Sequence, residues 1–355
     1  MEAMLAKVPL IDAHYLLLLA KLGGVLPRGQ DIPASALITP ASAWRLRLWG
    51  SQYSLPVLVL SYPWLDKDHP DRHGELLRRL APVLEAMLAE CRRGVEKGGG
   101  RLASLAPTTA TVGVMLDFCS LPQWPRTEAE QVRFEEGLHS MHLWYSHPFT
   151  HVLLVTTPLP DDPAGAAAYT NRRSYEERGW CFFEMQISSL VKNADVLWDL
   201  RYFDGKSHSY DALRAQLRAG RQPPLSPPAL EQDMRARVSA GSLSFSYAAD
   251  IEPVIEMYRR GFVQAFVGYR QLRSIPPGAG TSVFYGNLGW GADEAALLAD
   301  AIRFIGEHCE MADGAVELTF SGNHFPPESR KLLMAAAEAV GGRRGGKVFV
   351  TGVTR

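Results

Sequence analysis

Leu55-Pro56-Val57-Leu58-Val59-Leu60, running directly into Ser61-Tyr62-Pro63-Trp64, is the stretch that decides the class of fold. It shows none of the polar alternation of an amphipathic edge strand. A brief, continuously apolar run closed by turn residues suits a strand buried on both faces, as strands inside a parallel sheet are. After the polar loop at 66–71, Leu76, Leu80, Val83, Met87 and Cys91 recur at three and four, with Leu77, Leu84 and Leu88 widening the stripe. That spacing predicts a long helix with one buried face, ended by Gly98-Gly99-Gly100. Val112-Gly113-Val114-Met115-Leu116-Asp117-Phe118 reads as a second buried strand. Thr127 and Glu130 form a capping box ahead of a helix marked by Phe134, Leu138, Met141 and Tyr145. His151–Thr157 reads as a third strand, residues from about 176 to 192 as a helix, and Asp195–Tyr202 as a fourth strand. Strands and helices in strict alternation predict an α/β fold: an open parallel sheet with helices on both faces.

The rest of the chain is read outward from this core. Residues 1–50 combine a leucine-rich helical stretch with Pro27, Pro33 and Pro40, and are expected to form an N-terminal helical arm. Residues 51–203 make the α/β domain. The polar, proline-rich segment 204–249, with Pro223-Pro224-Leu225-Ser226-Pro227-Pro228, reads as a mobile insertion or linker holding one short charged helix at most. In 250–355, Ile255, Tyr258, Phe262, Ala265 and Tyr269 mark a helix with an aromatic core stripe. Ser282–Asn287 followed by Leu297–Ala301 then repeats as Leu318–Asn323 followed by Leu333–Ala337, at an offset of 36 residues. Each copy is a strand, a Gly-Asn turn and a helix, which equally fits two plain strand-helix units of a small α/β lobe.

Composition narrows the functional classes. The 355 residues carry 37 Lys plus Arg against 38 Asp plus Glu, a formal charge of -1, so the chain is not organised around nucleic acid or another polyanion. No run reaches the roughly 18 apolar residues of a membrane helix, and Tyr15–Ala20 reads as a buried helix. Cys91, Cys119, Cys181 and Cys309 lie too far apart in sequence for zinc or disulfide patterns. The expected compartment is the cytoplasm, with no membrane partner. His139, His142, His147 and His151 lack a completing acidic ligand, so no metal is expected. His69 and His73 flank Pro70 in a loop and read as pocket-rim or helix-capping residues. Gly278-Ala279-Gly280-Thr281 lacks the lysine of a phosphate loop.

In open parallel sheets, ligands bind beyond the carboxyl ends of the strands, where loops converge on a rigid frame. Ser61, Tyr62 and Trp64 follow the first strand and Asp117 ends the second. Glu184 lies in the apolar Arg178-Gly179-Trp180-Cys181-Phe182-Phe183-Glu184. A carboxylate in that setting needs a partner or a raised pKa. The structural alternative for Glu184 is pairing with Arg178 or Lys192.

The ordered set Leu60-Ser61-Tyr62-Pro63-Trp64, Leu116-Asp117-Phe118-Cys119-Ser120-Leu121-Pro122-Gln123, Met141 with Tyr145, and Arg178-Gly179-Trp180-Cys181 with Glu184 resembles fungal heterokaryon-incompatibility (HET) domains and, more loosely, TIR domains. The resemblance spans roughly residues 55 to 202, and the tail resembles ribonuclease-inhibitor-type leucine-rich repeats in degenerate form. It implies a TIR/flavodoxin-like sheet and an intracellular signalling or defence role, with self-association and protein partners. It also implies cleavage of the nicotinamide-ribose bond of NAD, as substrate rather than cofactor. Glu184 would be the catalytic carboxylate, with Ser61, Tyr62, Trp64, Asp117 and Trp180 contacting substrate. Pro63, near where many TIR domains carry a basic residue, and the long loop before Trp180 depart from the TIR pattern. The alternatives are a non-catalytic interaction module of the same fold and a nucleoside-processing transferase.

Overall fold

In a computed structural model, the structure describes residues 2–46, 55–97, 110–162, 164–165, 167–267, 281–309, 315–341 and 347–353. Gly98-Gly99-Gly100, Tyr269, residues 51–54 and residues 278–280 of the glycine-rich stretch lie outside them. By packing, the chain separates into two units. The first comprises Met1–Tyr145, Phe149–Phe182 and Ala194–Ala219, and the second Ser146–Pro148, Phe183–Asn193 and Gly220–Arg355.

The first unit is built on a six-stranded sheet. Its elements in chain order are α1 (Glu2–Lys7), β1 (Leu10–Asp12), α2 (Ala13–Lys21), β2 (Leu37–Ile38), β3 (Val57–Ser61), α3 (Glu75–Lys97), β4 (Gly113–Met115) and α4 (Asp117–Ser120). There follow α5 (Glu128–Ser146), β5 (His151–Leu154), α6 (Gly179–Ser188), β6 (Leu197–Asp199) and α7 (Tyr210–Leu217), with α5 and α6 each running past the unit's boundary. The strand order is β2-β1-β4-β3-β5-β6. From β4 to β6 every pair is parallel, so the four parallel strands lie in the order second, first, third, fourth. All five residues of β3 are buried. Because neighbours on a strand point to opposite faces, both faces of the sheet are covered. Leu58, Leu60, Val114, Leu116 and Leu153 join Leu16 and Leu17 of α2, Leu77, Leu80 and Leu84 of α3 and Leu213 of α7 in one apolar core. Tyr145 of α5 donates to the Leu60 carbonyl at 2.8 Å.

Two expectations are corrected here. The arm at 1–50 contributes β1 and β2, which pair antiparallel, Ile11 with Val114 and with Leu37, so the sheet is mostly rather than wholly parallel. Strands of two and three residues are too short to show a period. The helix α3 is capped by Asp71, which accepts from Glu75 N, Leu76 N and Leu77 N, while His69 accepts from Asp71 N. The Thr127–Glu130 capping box forms as the sequence predicts.

The second unit contains α8 (Pro227–Ser239), α9 (Ile251–Val267), β7 (Thr281–Phe284), α10 (Ala292–His308), β8 (Ala315–Thr319), α11 (Pro327–Val340) and β9 (Lys347–Thr351). Thus 204–249 carries two helices, α7 in the first unit and α8 in the second, where the sequence reading allows one. Ser226 caps α8, and Pro227 and Pro228 occupy its first turn, where a missing N–H costs nothing. The strands β7-β8-β9 form a parallel sheet in sequence order.

The repeat offset is 35, not 36. Val283 pairs with Leu318 and Phe284 with Thr319, and the left-handed turn residues are Asn287 (φ 57°) and Gly322 (φ 75°). Val283 and Tyr285 thus stand level with Leu318 and Phe320 as the buried set, and the rings of Tyr285 and Phe320 stack at 5.5 Å. Matching by the Gly-Asn dipeptides slips the pairing by one residue, which equates inward with outward side chains. Asn323 joins the copies: its Nδ2 donates to the Tyr285 and Phe320 carbonyls, and its Oδ1 accepts from Leu288 N and Trp290 N.

Candidate functional site

The strand order reverses between β3 and β5, so the crevice beyond their carboxyl ends is the topological switch point, the usual ligand position in open α/β sheets. A cavity of about 40 Å³ lies there, lined by Tyr62, Leu65, Glu75, Arg79, Val155 and Thr157 among others. Arg79 crosses it, donating to Glu75 Oε1 at 2.9 Å and to Thr157 Oγ1 at 3.2 Å. Pockets for drug-sized ligands are typically about 300–1,000 Å³, so this one admits a water or a small group rather than a dinucleotide.

Three of the expected site residues converge. Asp117, at the start of α4, accepts from the Tyr62 hydroxyl at 2.6 Å, from Trp64 Nε1 at 3.1 Å and from Phe118 N at 2.7 Å. Burial raises its carboxyl above the ordinary carboxylate range, although all three hydrogen bonds pull it down. The Tyr62 phenol is pushed well up by burial and by the neighbouring Asp117 charge. The group ties the exit loop of β3 to the end of β4. Both carboxylate oxygens are engaged by donors from this chain.

Ser61 stands apart from that group. It is fully buried and shares a 2.6 Å hydrogen bond with the Tyr175 hydroxyl, which donates to the Cys181 carbonyl at 3.1 Å. Tyr175 was not singled out by the sequence reading. Arg178 donates to the carbonyls of Trp64, Asn171 and Arg173, so its guanidinium braces the loops before α6. The adjacency of Arg178 to Gly179-Trp180 is the only sequence signal for that role.

Trp180 and Glu184 lie on α6, four residues apart and therefore on one face of the helix. Trp180 is half-buried and groups with the first unit. Glu184 is 6% exposed and groups with the second. Neither is among the residues lining the cavity. The Glu184 carbonyl accepts from Ser188 Oγ at 2.6 Å. Lys192, fully buried, donates to the His147 carbonyl. Burial raises the thiols of Cys119 and Cys309, to about 12 for Cys309, which makes them poor nucleophiles.

Among the described residues no cluster of three or more His, Cys, Asp or Glu is arranged to hold a metal, and no helix is long and apolar enough to cross a membrane. No known protein family, no curated protein and no solved structure matches this chain.

Proposed function

We propose that the chain is a TIR/HET-like signalling or defence module of the cytoplasm that cleaves the nicotinamide-ribose bond of NAD, with Glu184 as its carboxylate. The observation that supports this best is topological. Four parallel strands lie in the order second, first, third, fourth, an order that flavodoxin-like sheets share and that supports this reading, and the helix after the third strand carries a buried glutamate in an apolar run. Cleavage passes through an oxocarbenium-like transition state, which a desolvated carboxylate stabilises strongly because the local dielectric is low. Nicotinamide leaves as a neutral base without protonation, and water adds to the ribosyl cation and gives up a proton to solvent, so one carboxylate suffices. Trp180, one turn earlier on the same face, would wall the ring. Self-association of TIR-like domains would set the activity, and the leucine-rich-repeat-like tail would receive protein partners.

The test is incubation of the purified protein with NAD over a range of protein concentrations, with released nicotinamide followed by chromatography. Release that rises more than linearly with protein and disappears in Glu184→Gln is expected. Release that Glu184→Gln retains refutes the assignment.

The second reading is a non-catalytic interaction module of the same fold. It is favoured by the hydrogen bonds that occupy Ser61, Tyr62, Trp64 and Asp117 within the chain and by the small size of the switch-point cavity. Absence of release at every concentration selects it.

A further inference from the structure

The segment Phe183–Asn193, which lies within the first unit's stretch of sequence, packs as part of the second unit. What holds it there is specific. Arg221 is 4% exposed, and its guanidinium donates through Nε (3.2 Å) and Nη2 (2.8 Å) to the Ser189 carbonyl, through Nη2 to the Leu190 carbonyl at 3.0 Å, and through Nη1 to the Phe284 carbonyl at 2.7 Å. It stacks over the Tyr285 ring at 4.4 Å, and the Tyr285 hydroxyl also donates to the Leu190 carbonyl. Nearer the centre of α6, Phe183 meets the Tyr258 ring edge-on at 6.5 Å, and Tyr258 is itself anchored to the Leu225 carbonyl.

The last carbonyls of a helix, and those just past its end, have no intrahelical donor. Ser189 and Leu190 are the residues just past α6, and Arg221 supplies donors to both while gripping β7 with its remaining arm. Burial lowers this guanidinium to about 10, still cationic at neutral pH, and the nearby Tyr285 opposes the fall. A buried cation is unfavourable in solvation, whereas a planar fork of donors fixes three peptides in one geometry. A hydrophobic residue of the same volume would fill the space without setting the height or rotation of the helix end.

We propose that Arg221 is a positioning residue for Glu184: by clamping the Ser189 and Leu190 carbonyls to the Phe284 carbonyl of β7, it sets the C-terminal half of α6, which carries Glu184. The assignment rests on the proposed role of Glu184. It makes the repeat-like sheet the platform on which the carboxylate is held, five residues upstream of the first clamped carbonyl.

The experiment compares wild type, Arg221→Gln, Arg221→Lys and Tyr285→Phe by amide hydrogen exchange and by nicotinamide-release kinetics. In Arg221→Gln, amides of 186–192 should exchange at least about tenfold faster while those of 57–61 and 151–154 stay unchanged, as expected for local opening. Under the same conditions kcat should fall about tenfold or more with KM within about twofold, the pattern of lost transition-state stabilisation. Arg221→Lys should recover part of both effects, and Tyr285→Phe should show smaller changes of the same sign. Unchanged exchange at 186–192 in Arg221→Gln overturns the clamp, as does an equal rise in both units. If Arg221→Gln does not fold, Arg221→Lys and Tyr285→Phe decide by the same criteria. A wild type that releases no nicotinamide refutes the reaction and not the clamp, which the exchange pattern then decides alone.

Discussion

Asp12 offers the sharpest quantitative test of the first unit. It ends β1 and caps α2, accepting from His14 N at 2.9 Å, from the Thr111 hydroxyl at 2.7 Å, and from Arg45. Burial alone would push this carboxyl up. The His14 ring, the Thr111 hydroxyl, the His14 amide and the Arg45 charge overcome it and hold the carboxyl at about 2 against the ordinary 3.8. A depressed acid stabilises the folded state where it is ionised, so the contribution is full above about pH 4 and is lost as pH falls through about 2. At about 1.36 kcal/mol per pH unit, the contribution is about 2 kcal/mol at neutral pH. Asp12→Asn, close in shape to the protonated acid, should therefore lose about 2 kcal/mol at pH 7 and close to nothing at pH 2. Urea unfolding followed by circular dichroism should show a midpoint lowered by about 1 M at pH 7, with the gap closing steadily below pH 4. A deficit that stays constant from pH 7 to pH 2 would mean that Asn disturbs packing rather than charge, and equal midpoints at pH 7 would refute the electrostatic account outright.

Two further predictions concern the second unit. Burial, reinforced by the Lys192 charge, lowers His147 to about 3, so its ring should stay neutral and its NMR shifts flat from pH 8 to pH 5. A depressed base stabilises above its ordinary 6.5 and loses that stabilisation as pH falls through about 3, so this unit should weaken in acid, and a ring titrating near 6.5 would refute the burial. At Gly322 (φ +75°) an added Cβ would lie 2.1 Å from Asn287 Oδ1, whereas at Gly289 (φ +73°) it would meet nothing within 4 Å. Gly289→Ala should cost about 1 kcal/mol of backbone strain and Gly322→Ala distinctly more, read as thermal unfolding of the second unit. Equal losses would place the cost in backbone strain alone.

Much of the first unit is legible in the chain because its signals are local. A run such as Val57–Leu60 has one physical meaning at its length, and the stripe from Leu76 to Cys91 has another, so β3, α3, β4, α5 and β5 follow without tertiary information. The strands β1 and β2 escape that reading because two or three residues carry no period, and their place depends on the exposed edge of β4. Prolines misled at 223–228, where Ser226-Pro227-Pro228 opens a helix instead of preventing one. Their meaning depends on position in the first turn, which composition does not record. The repeat offset slipped for a related reason: the Gly-Asn dipeptides match at 36, but a left-handed turn accepts Asn at 287 as readily as Gly at 322.

The residues proposed for function divide along the same line. Tyr62, Trp64 and Asp117 could be placed together from strand ends alone, since a parallel sheet delivers all its carboxyl ends to one edge. What the sheet cannot announce is how those groups are occupied, and here the Tyr62 and Trp64 donors turn Asp117 into a brace. The grouping of Glu184 was beyond sequence reading for a stronger reason. Nothing in Phe183–Asn193 distinguishes a helix end held by its own sheet from one held by Arg221 and Tyr285, residues 32 and 95 positions from Ser189 and Leu190 respectively. A helix can begin in one unit and end in another, and the chemistry carried on its last turns then answers to the unit that grips its end. In this protein the placement of Glu184 and the integrity of β7 should therefore vary together, even though the two lie about a hundred residues apart in the chain.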